Sequence, residues 1–238
     1  MPTKDKIVPN LITAISGEPK TGKSHLALTF PAPIVIFSFD QGIEPVLQSF
    51  PDKKVQVMTY ELPLVETVRA VGQKKQILEV WNQFKADFQI ATEDTSVKTI
   101  IIDTATAAYE ICRIARTGEL GRELDPTEYG DVYLRMKALF QRCRLSGQNL
   151  VLTHYMKEIY KDGAPTGQTK IDAFKYTEAE VDLSLITTRV TEPKVGGGKQ
   201  TKIVTTIKET RYDALTLTGF EFTNATYGDI ISVLGIDS

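Results

Sequence analysis

One segment near the start of the chain has the residue types and spacing that bind phosphate groups. Residues 17–24 read GEPKTGKS and match the pattern G-x-x-x-x-G-K-[ST]. Glycines let the backbone wrap closely, so that successive N–H groups face phosphate oxygens, and the following helix adds its positive N-terminal end. In this pattern Lys23 reaches the β- and γ-phosphates, and the Ser24 hydroxyl ligates Mg²⁺. The predicted nucleotide-binding residues are Gly17, Glu18, Pro19, Lys20, Thr21, Gly22, Lys23, Ser24 and His25.

Two carboxylates end continuous apolar runs of the kind found in strands that are buried on both faces of a parallel sheet. Asp40 directly follows residues 34–39, and Asp103 closes residues 98–103. Asp103 is predicted to be the acidic element that holds Mg²⁺ through water. The next residue is Thr104 rather than an acid, so we expect the base that activates water elsewhere. The end of the second strand, at Asp40, is the predicted place.

Alternating strands and helices must position these residues. Apolar runs predict strands at residues 11–16, 34–39, 55–59, 98–103 and 149–153. Apolar residues with helical spacing between these runs include Ile77, Trp81, Phe84 and Phe88. This order predicts an α/β fold with a mostly parallel sheet and helices on both faces, in which ligands bind beyond the C-terminal strand ends. We therefore expect Asp40, Asp103 and His154 to meet the loop after the first strand at one edge of the sheet.

The sequence pattern changes from about residue 179. Two β-rich stretches, residues 181–190 and 201–211, flank the three glycines at 196–198. This arrangement predicts a β-hairpin at about residues 185–212. Six cations stand against two acids over residues 189–212, which makes the hairpin locally basic.

Length and composition favour one domain. The 238 residues are 42% hydrophobic and 24% charged, enough for one sizeable core. We predict a single domain over residues 1–238, with a P-loop α/β core at 11–178 and a β-rich C-terminal part at 179–238. Cys112 and Cys143 are expected to be packed thiols, because neither belongs to a C-x-x-C pair or lies near a histidine cluster.

Charge and hydropathy restrict the partners. The sequence has neither an apolar run of about 18 residues nor a signal-like N-terminal segment. We therefore expect no membrane partner and a cytoplasmic location. The net charge of −2 provides no overall attraction for nucleic acid, so such a partner must bind a local patch.

The strand-end segments resemble those of a known family. Residues 37–45, FSFDQGIEP, resemble the segment of RecA-type recombinases in which a strand ends in the catalytic carboxylate, and residues 101–108 are similar to that family's metal-binding strand. With its small size and C-terminal hairpin, the chain most resembles the short RecA-like ATPases of bacteriophages that serve as annealing recombinases. The resemblance covers roughly residues 11–212. It implies a RecA-like P-loop NTPase fold, with ATP and Mg²⁺ as ligands.

The resemblance also implies catalytic roles. Asp40 falls on the position of the base that activates water. The family usually has glutamate there, and aspartate is one methylene shorter, so Glu44 is the reserve candidate. His154 falls where the family has a polar residue that senses the γ-phosphate, and a hydrogen-bonded core histidine is the alternative.

In this family, the loop after the strand that ends at His154 enters the DNA channel. Residues 155–176 contain lysines that could contact phosphates and aromatic residues that could stack on bases. The DNA-binding candidates are Tyr155, Lys157, Lys161, Lys170, Phe174 and Lys175. Four lysines stand against three acids in this stretch, so a merely solvated loop is the alternative.

Lys208 and Arg211 resemble a paired lysine and arginine on a late strand of hexameric RecA-like ATPases of the KaiC and DnaB kinds. In those proteins the pair reaches the γ-phosphate of the neighbouring subunit. Two residues separate the pair here, whereas one is usual, and this places the two side chains on opposite faces of a strand. We therefore expect only one of them to act in trans.

These observations favour an ATP-binding, Mg²⁺-dependent ATPase that forms a ring or filament on single-stranded DNA in phage-type recombination or annealing. Nucleotide would bind at subunit junctions, DNA would stimulate turnover, and a single-strand-binding protein is a further expected partner. The location would be the host cytoplasm if a phage encodes the chain. One alternative is a P-loop kinase that phosphorylates a small acceptor, with Arg113, Arg116 and Arg122 as its lid. Another is a nucleotide-gated assembly protein with little turnover, which the aspartate at position 40 leaves open.

Overall fold

The computed structural model describes residues 10–40, 42–62, 71–194 and 197–236. Its strands are β1 (Ile12–Gly17), β2 (Ile34–Ser38), β3 (Val55–Thr59), β4 (Thr99–Asp103), β5 (Asn149–His154), β6 (Met156–Lys161), β7 (Ala164–Ile171), β8 (Leu183–Pro193), β9 (Lys199–Thr210) and β10 (Glu221–Thr223). Its α-helices are α1 (Lys23–Ala27), α2 (Glu44–Leu47), α3 (Val71–Glu93), α4 (Ala105–Leu120), α5 (Tyr129–Ser146), α6 (Thr177–Glu180), α7 (Ala214–Leu217) and α8 (Tyr227–Val233). A 3₁₀ helix at Pro126–Glu128 precedes α5.

An eight-stranded sheet lies at the centre, in the order β10-β9-β8-β1-β5-β4-β2-β3. The strands from β8 to β3 run parallel to their neighbours, whereas β9 and β10 form antiparallel pairs. The register places Ser16 beside His154, and Ser38 beside Asp103. The C-terminal ends of β1, β2, β4 and β5 therefore meet at one edge. The predicted α/β fold with a mostly parallel sheet is confirmed.

The two faces of the sheet pack against separate apolar cores, because successive strand residues point to opposite faces. Ile12 and Ala14 pack with residues of α3, α4 and α5, whereas Ile15 packs with residues of α1 and α8. The predicted apolar stripe of α3 is buried, with Trp81 and Phe84 both fully enclosed. Cover on both faces explains why strands such as β4 are buried at every position.

The predicted C-terminal hairpin is formed by β8 and β9, which pair from Leu183 with Thr210 to Pro193 with Lys199. Strand β8 also pairs in parallel with β1. The hairpin therefore extends the central sheet and lies directly beside the strand that leads into the P-loop.

A second hairpin occurs where the sequence analysis predicts a loop. Strands β6 and β7 form a separate two-stranded antiparallel sheet. Its turn contains Asp162 and Gly163 with φ values of 52° and 81°, and Asp-Gly is a typical sequence for two-residue turns of this kind. The loop prediction was wrong because these strands are largely exposed and polar on both faces. They lack the apolar alternation that identifies a half-buried strand.

The two cysteines are free thiols in the apolar core, Cys112 on α4 and Cys143 on α5. Burial raises the pKa of Cys112 to about 12 and also raises the pKa of Cys143. Both are packed as predicted. Within the described ranges, no helix has the length and apolar character needed to cross a membrane.

Candidate nucleotide-binding site

The two P-loop glycines meet different backbone requirements. A Cβ at Gly17 would lie 2.5 Å from the Thr187 carbonyl oxygen and 2.6 Å from the Thr21 hydroxyl, so only glycine fits without a shift. Gly22 caps the start of α1 with φ of 84°, a conformation that side chains with a Cβ rarely adopt. The sequence motif therefore produces a tight turn between β1 and α1.

Strand β8 supports this turn through a buried threonine. The hydroxyl groups of Thr187 and Thr21 are 2.9 Å apart, and the Thr187 hydroxyl also donates to the Ser16 carbonyl over 3.3 Å. The Thr21 hydroxyl contacts the Glu18 carbonyl at 2.8 Å. These contacts tie the P-loop to the C-terminal hairpin. Thr187 was not predicted from the sequence, because 166 residues separate it from Thr21.

Lys23 lies across the P-loop backbone. Its Nζ donates to the carbonyl oxygens of Gly17 and Glu18 over 3.0 and 2.9 Å. Nζ also lies 5.0 Å from the centroid of the Tyr155 ring. Burial lowers the pKa of Lys23, and nearby carboxylates oppose that shift. The ammonium group is therefore held at the loop whose N–H groups would surround a phosphate.

Ser24, at the start of α1, and Asp103, at the end of β4, meet at the same edge of the sheet. The Ser24 hydroxyl donates to the two Asp103 carboxylate oxygens over 3.2 and 3.1 Å, and Thr153 donates a further hydrogen bond to Oδ1. Burial raises the pKa of Asp103, and the hydrogen bond from Thr153 opposes the shift. Hydroxyl and carboxylate oxygens are ligands that suit Mg²⁺. The pair fits the predicted metal site, and its role as a ligand set stays a prediction.

A cleft of about 560 Å³, here called the phosphate cleft, lies over the P-loop. Lys23, Ser24 and Asp103 line it together with Asp40 and Tyr155. The predicted nucleotide-binding residues in its lining are Pro19, Lys20, Gly22, Lys23, Ser24 and His25. The remaining three predicted residues, Gly17, Glu18 and Thr21, make the backbone and hydroxyl contacts that shape the loop.

The two candidates for the base are placed differently. Asp40 is an exposed residue at the wall of the phosphate cleft, where Oδ2 accepts a hydrogen bond from the Tyr155 hydroxyl over 3.0 Å. Its Oδ1 accepts from the Gly42 N–H over 3.2 Å. Glu44 begins α2, is exposed, and is not among the described residues that line the cleft. The geometry favours Asp40 over Glu44.

His154 is buried and is not among the described residues that line the phosphate cleft. Its side chain is 2% exposed, and both ring nitrogens lack a hydrogen-bond partner within the described part of the chain. Burial lowers the pKa of His154 to about 4, against a smaller opposing effect of Asp172. The imidazole is therefore neutral at pH 7. Its neighbour Tyr155 lines the cleft, and a role for His154 as a γ-phosphate sensor stays a prediction.

A second cleft of about 410 Å³, here called the side cleft, adjoins the phosphate cleft and shares Lys20, Gly22, His25 and Arg189 with it. Its other lining residues are Leu26, Ile203, Thr205, Asn224 and Ala225. Arg189 donates to the Lys20 carbonyl over 2.5 Å, at the junction of the two clefts. From the sequence, Arg189 was predicted only to be one of the cations of the basic hairpin. Its place beside the P-loop follows from the parallel pairing of β8 with β1.

A family model described as an AAA domain matches residues 10–214. The chain belongs to this AAA domain family. Among curated proteins, no sequence matches it.

Solved structures with low sequence identity are similar to this AAA domain. The crystal structure of the RadB recombinase is 12% identical to this chain in sequence and has a TM-score of 0.52. The match covers 90% of this chain and 86% of the RadB chain. A KaiC-like protein from Pyrococcus horikoshii OT3 is 14% identical, with a TM-score of 0.46 and coverages of 94% and 91%. An ATPase from the type III secretion system of pathogenic bacteria is 13% identical, with a TM-score of 0.45 and coverages of 76% and 52%. The RadB likeness confirms the RecA-like P-loop fold.

The DNA-binding candidates of the AAA domain fall into two groups. Lys161 and Lys170 are exposed on the β6–β7 hairpin, as is Lys157, which pairs with Asp172 at 2.6 Å. Phe174, by contrast, is 3% exposed and packs among other aromatic side chains. The rings around it belong to Tyr109, Tyr133, Phe140 and Tyr176. Base stacking by Phe174 was a wrong expectation, because the ring belongs to the core.

The other two candidates, Lys175 and Tyr155, lie outside the β6–β7 hairpin. Lys175 is exposed, and its Nζ lies 5.5 Å from the centroid of the Tyr176 ring. Tyr155 is half-buried, and its hydroxyl is bonded to Asp40. The Tyr155 ring therefore belongs to the wall of the phosphate cleft.

Lys208 and Arg211 lie at the end of the strands that is opposite the P-loop, where the end of β9 meets the start of β8. Lys208 forms an ion pair with Glu178. Arg211 lies 3.3 Å from Asp182, whose carboxylate also accepts from Arg144 and from the Ile12 N–H. Asp182 is 7% exposed. In its own chain, Arg211 therefore helps to hold the edge of the sheet.

The three arginines of the alternative kinase lid are held in ion pairs on α4 and in the segment that joins α4 to α5. Arg113 pairs with Glu110, and Arg122 pairs with Glu128. Arg116 bridges Glu119 and Asp131. Among the described residues that line the phosphate cleft, none of the three is present. The structure therefore gives no support to this lid.

Proposed function

We propose that this AAA domain protein binds ATP with Mg²⁺ in the phosphate cleft and hydrolyses it. The observation that carries the proposal is the convergence of Lys23, the Ser24–Asp103 pair and Asp40 on one cleft. Lys23 would contact phosphate oxygens, while Ser24 and Asp103 would hold Mg²⁺. The metal, when bound, neutralises charge on the phosphates. Asp40 is the carboxylate placed to take a proton from the attacking water.

The side cleft is the proposed site of the nucleoside. It joins the phosphate cleft at Lys20 and Arg189, and Ile203 and Ala225 give it apolar walls. The Asn224 Oδ1 already accepts from the Ile203 N–H over 3.0 Å, which leaves the amide Nδ2 to donate to a base. An apolar slot with a few polar groups is the usual form of a small-molecule site.

Ile203→Ala tests the nucleoside site. We expect about tenfold weaker ATP binding, because contact between a base and the aliphatic side chain of Ile203 is removed. Binding of inorganic tripolyphosphate, which needs only the phosphate cleft, should stay unchanged. Val204→Ala is the matched control, since adjacent strand residues point to opposite faces. Equal weakening of ATP binding and tripolyphosphate binding would contradict the assignment of the side cleft as the nucleoside site.

We further propose that the β6–β7 hairpin binds single-stranded DNA. Lys157 lies directly opposite Lys170 in the hairpin. Like charges facing one another across two strands are unfavourable. Asp172 compensates the charge of Lys157, and a phosphate would in addition compensate that of Lys170. Lys161 adds a third exposed cation near the turn. The RadB structure, which shares the fold, is that of a recombinase, and this supports a role in recombination or annealing.

The proposed DNA interface should produce salt-dependent binding. For the unmodified protein with ATP, we expect a log–log slope of about −0.7 per phosphate neutralised on a single strand. Replacing Lys157, Lys161 and Lys170 together with alanine should flatten that slope. The control with the same change in charge replaces Lys75, Lys85 and Lys98, which are exposed outside the hairpin. Fluorescence anisotropy measures the salt dependence of DNA binding by both triple variants. Equal slopes for the two variants would contradict the proposed interface.

We also propose a head-to-tail assembly with nucleotide at the junctions. Lys208 and Arg211 lie at the end of the sheet opposite their own P-loop, and in a head-to-tail arrangement this end would face the cleft of the next copy. Repeated head-to-tail contacts generate rings or filaments. Light scattering with ATP and DNA tests this arrangement, and a persistent monomer would exclude a role in trans for either residue.

A further inference from the structure

Tyr155 is the residue that joins the phosphate cleft to the β6–β7 hairpin. It stands between the end of β5 at His154 and the start of β6 at Met156. Its hydroxyl donates to Asp40 Oδ2 over 3.0 Å, although 115 residues separate the two along the chain. Its ring centroid lies 5.0 Å from Lys23 Nζ. One side chain therefore contacts both the proposed base and the P-loop lysine.

The backbone of Tyr155 is fixed to both ends of the hairpin and to α4. Its N–H donates to the Thr106 hydroxyl over 3.3 Å, and its carbonyl accepts from the Asp172 N–H over 2.8 Å. The Thr106 hydroxyl in turn donates to the Asp172 carbonyl over 2.5 Å. Since Asp172 directly follows β7, a displacement of the hairpin would move Tyr155 with it.

We propose that Tyr155 is a positioning residue that orients the Asp40 carboxylate and links its orientation to contacts made by the β6–β7 hairpin. This inference rests on the proposed function, in which Asp40 is the base and the hairpin binds DNA. Asp40 is exposed and is held by two hydrogen bonds within the described residues, one from Tyr155 and one from Gly42. The bond from Gly42 joins residues two positions apart. The bond from Tyr155 is the one that fixes the carboxylate relative to the rest of the cleft.

Two further observations support a polar role for this side chain. Tyr155 is outside both apolar core clusters of the described structure, so its hydroxyl is not an incidental end of a core ring. Burial and the hydrogen bond to Asp40 raise the pKa of Tyr155 to about 12. The phenol therefore stays protonated at neutral pH and remains a hydrogen-bond donor.

Tyr155→Phe in the full chain tests the proposal, because it removes the hydroxyl and keeps the ring. A positioned base contributes about 10²–10⁴-fold to a rate, and partial loss of its orientation should cost about tenfold in DNA-stimulated kcat. The KM for ATP and the affinity for a single-stranded oligonucleotide should stay within twofold. Tyr212→Phe, a half-buried tyrosine outside the clefts and the β6–β7 hairpin, should leave kcat unchanged.

A double-mutant cycle shows whether Tyr155 acts through Asp40. In an Asp40→Asn background, Tyr155→Phe should cause no further loss of kcat, since groups that act as one unit are not additive. An unchanged kcat in Tyr155→Phe, or losses that multiply in the double variant, would overturn this proposal while leaving the proposed function in place. Full activity of Asp40→Asn, or no ATP hydrolysis by the unmodified protein, would overturn both.

Discussion

Replacing Lys23 with alanine is expected to abolish measurable ATP hydrolysis and to leave the fold intact. The Nζ group contacts only the Gly17 and Glu18 carbonyl oxygens and the face of Tyr155 among the described residues. Its removal therefore disturbs the loop and leaves the core unchanged. Loss of one charged group aimed at a transferring phosphoryl group should lower kcat by about 10³-fold.

Phosphate release measures the loss of activity, and circular dichroism with urea unfolding checks the fold. Lys85→Ala is the control, because it removes the same charge from an exposed position on α3. It should keep full activity. Turnover retained by Lys23→Ala would show that the P-loop is not the site of hydrolysis.

Asp40→Asn is expected to lower kcat by about 10²-fold or more, as the loss of a positioned base does. Asparagine has nearly the same size and still accepts the hydrogen bond from Tyr155. ATP binding should therefore persist, with a Kd close to that of the unmodified protein. Single-turnover hydrolysis and equilibrium binding of ATP measure the two quantities separately.

Glu44→Gln is the matched control for this variant. Glu44 is exposed at the start of α2 and outside the described lining of the cleft, so its amide should keep full activity. Full activity in Asp40→Asn with a collapse in Glu44→Gln would move the role of base from one residue to the other.

Local patterns in the sequence predicted much of the fold. Strands such as β4 were recognisable because cover on both faces demands an unbroken apolar run. The stripe of α3 through Trp81 was recognisable because one helix face packs on the sheet. The meeting of Asp103 and Ser24 followed from a general rule, since parallel strands end at the same edge.

Contacts between distant segments were not predictable in this way. Thr187 and Arg189 reach the P-loop only because β8 pairs with β1, and nothing within either segment specifies that pairing. Phe174 was assigned to DNA because it stands in a lysine-containing stretch. The aromatic residues that bury it come from α4 and α5 as well as from its own segment.

The candidate site also combines features that were predictable from local sequence with features that were not. The P-loop motif determines a local turn and was recognised from eight consecutive residues. The wall of the phosphate cleft, by contrast, depends on whether His154 or Tyr155 faces the nucleotide. Consecutive residues at a strand end point in opposite directions, so a shift of one position decides which is buried. The structure buries His154 and turns Tyr155 toward Asp40.

The most direct test of the proposed ATPase activity is release of inorganic phosphate from ATP by the full chain. It is measured with and without Mg²⁺ and with and without single-stranded DNA. No other phosphate acceptor is added. We predict phosphate release that requires Mg²⁺, increases with DNA and disappears in Lys23→Ala. Absence of phosphate release under every condition, or phosphoryl transfer only when a small acceptor is supplied, would contradict it.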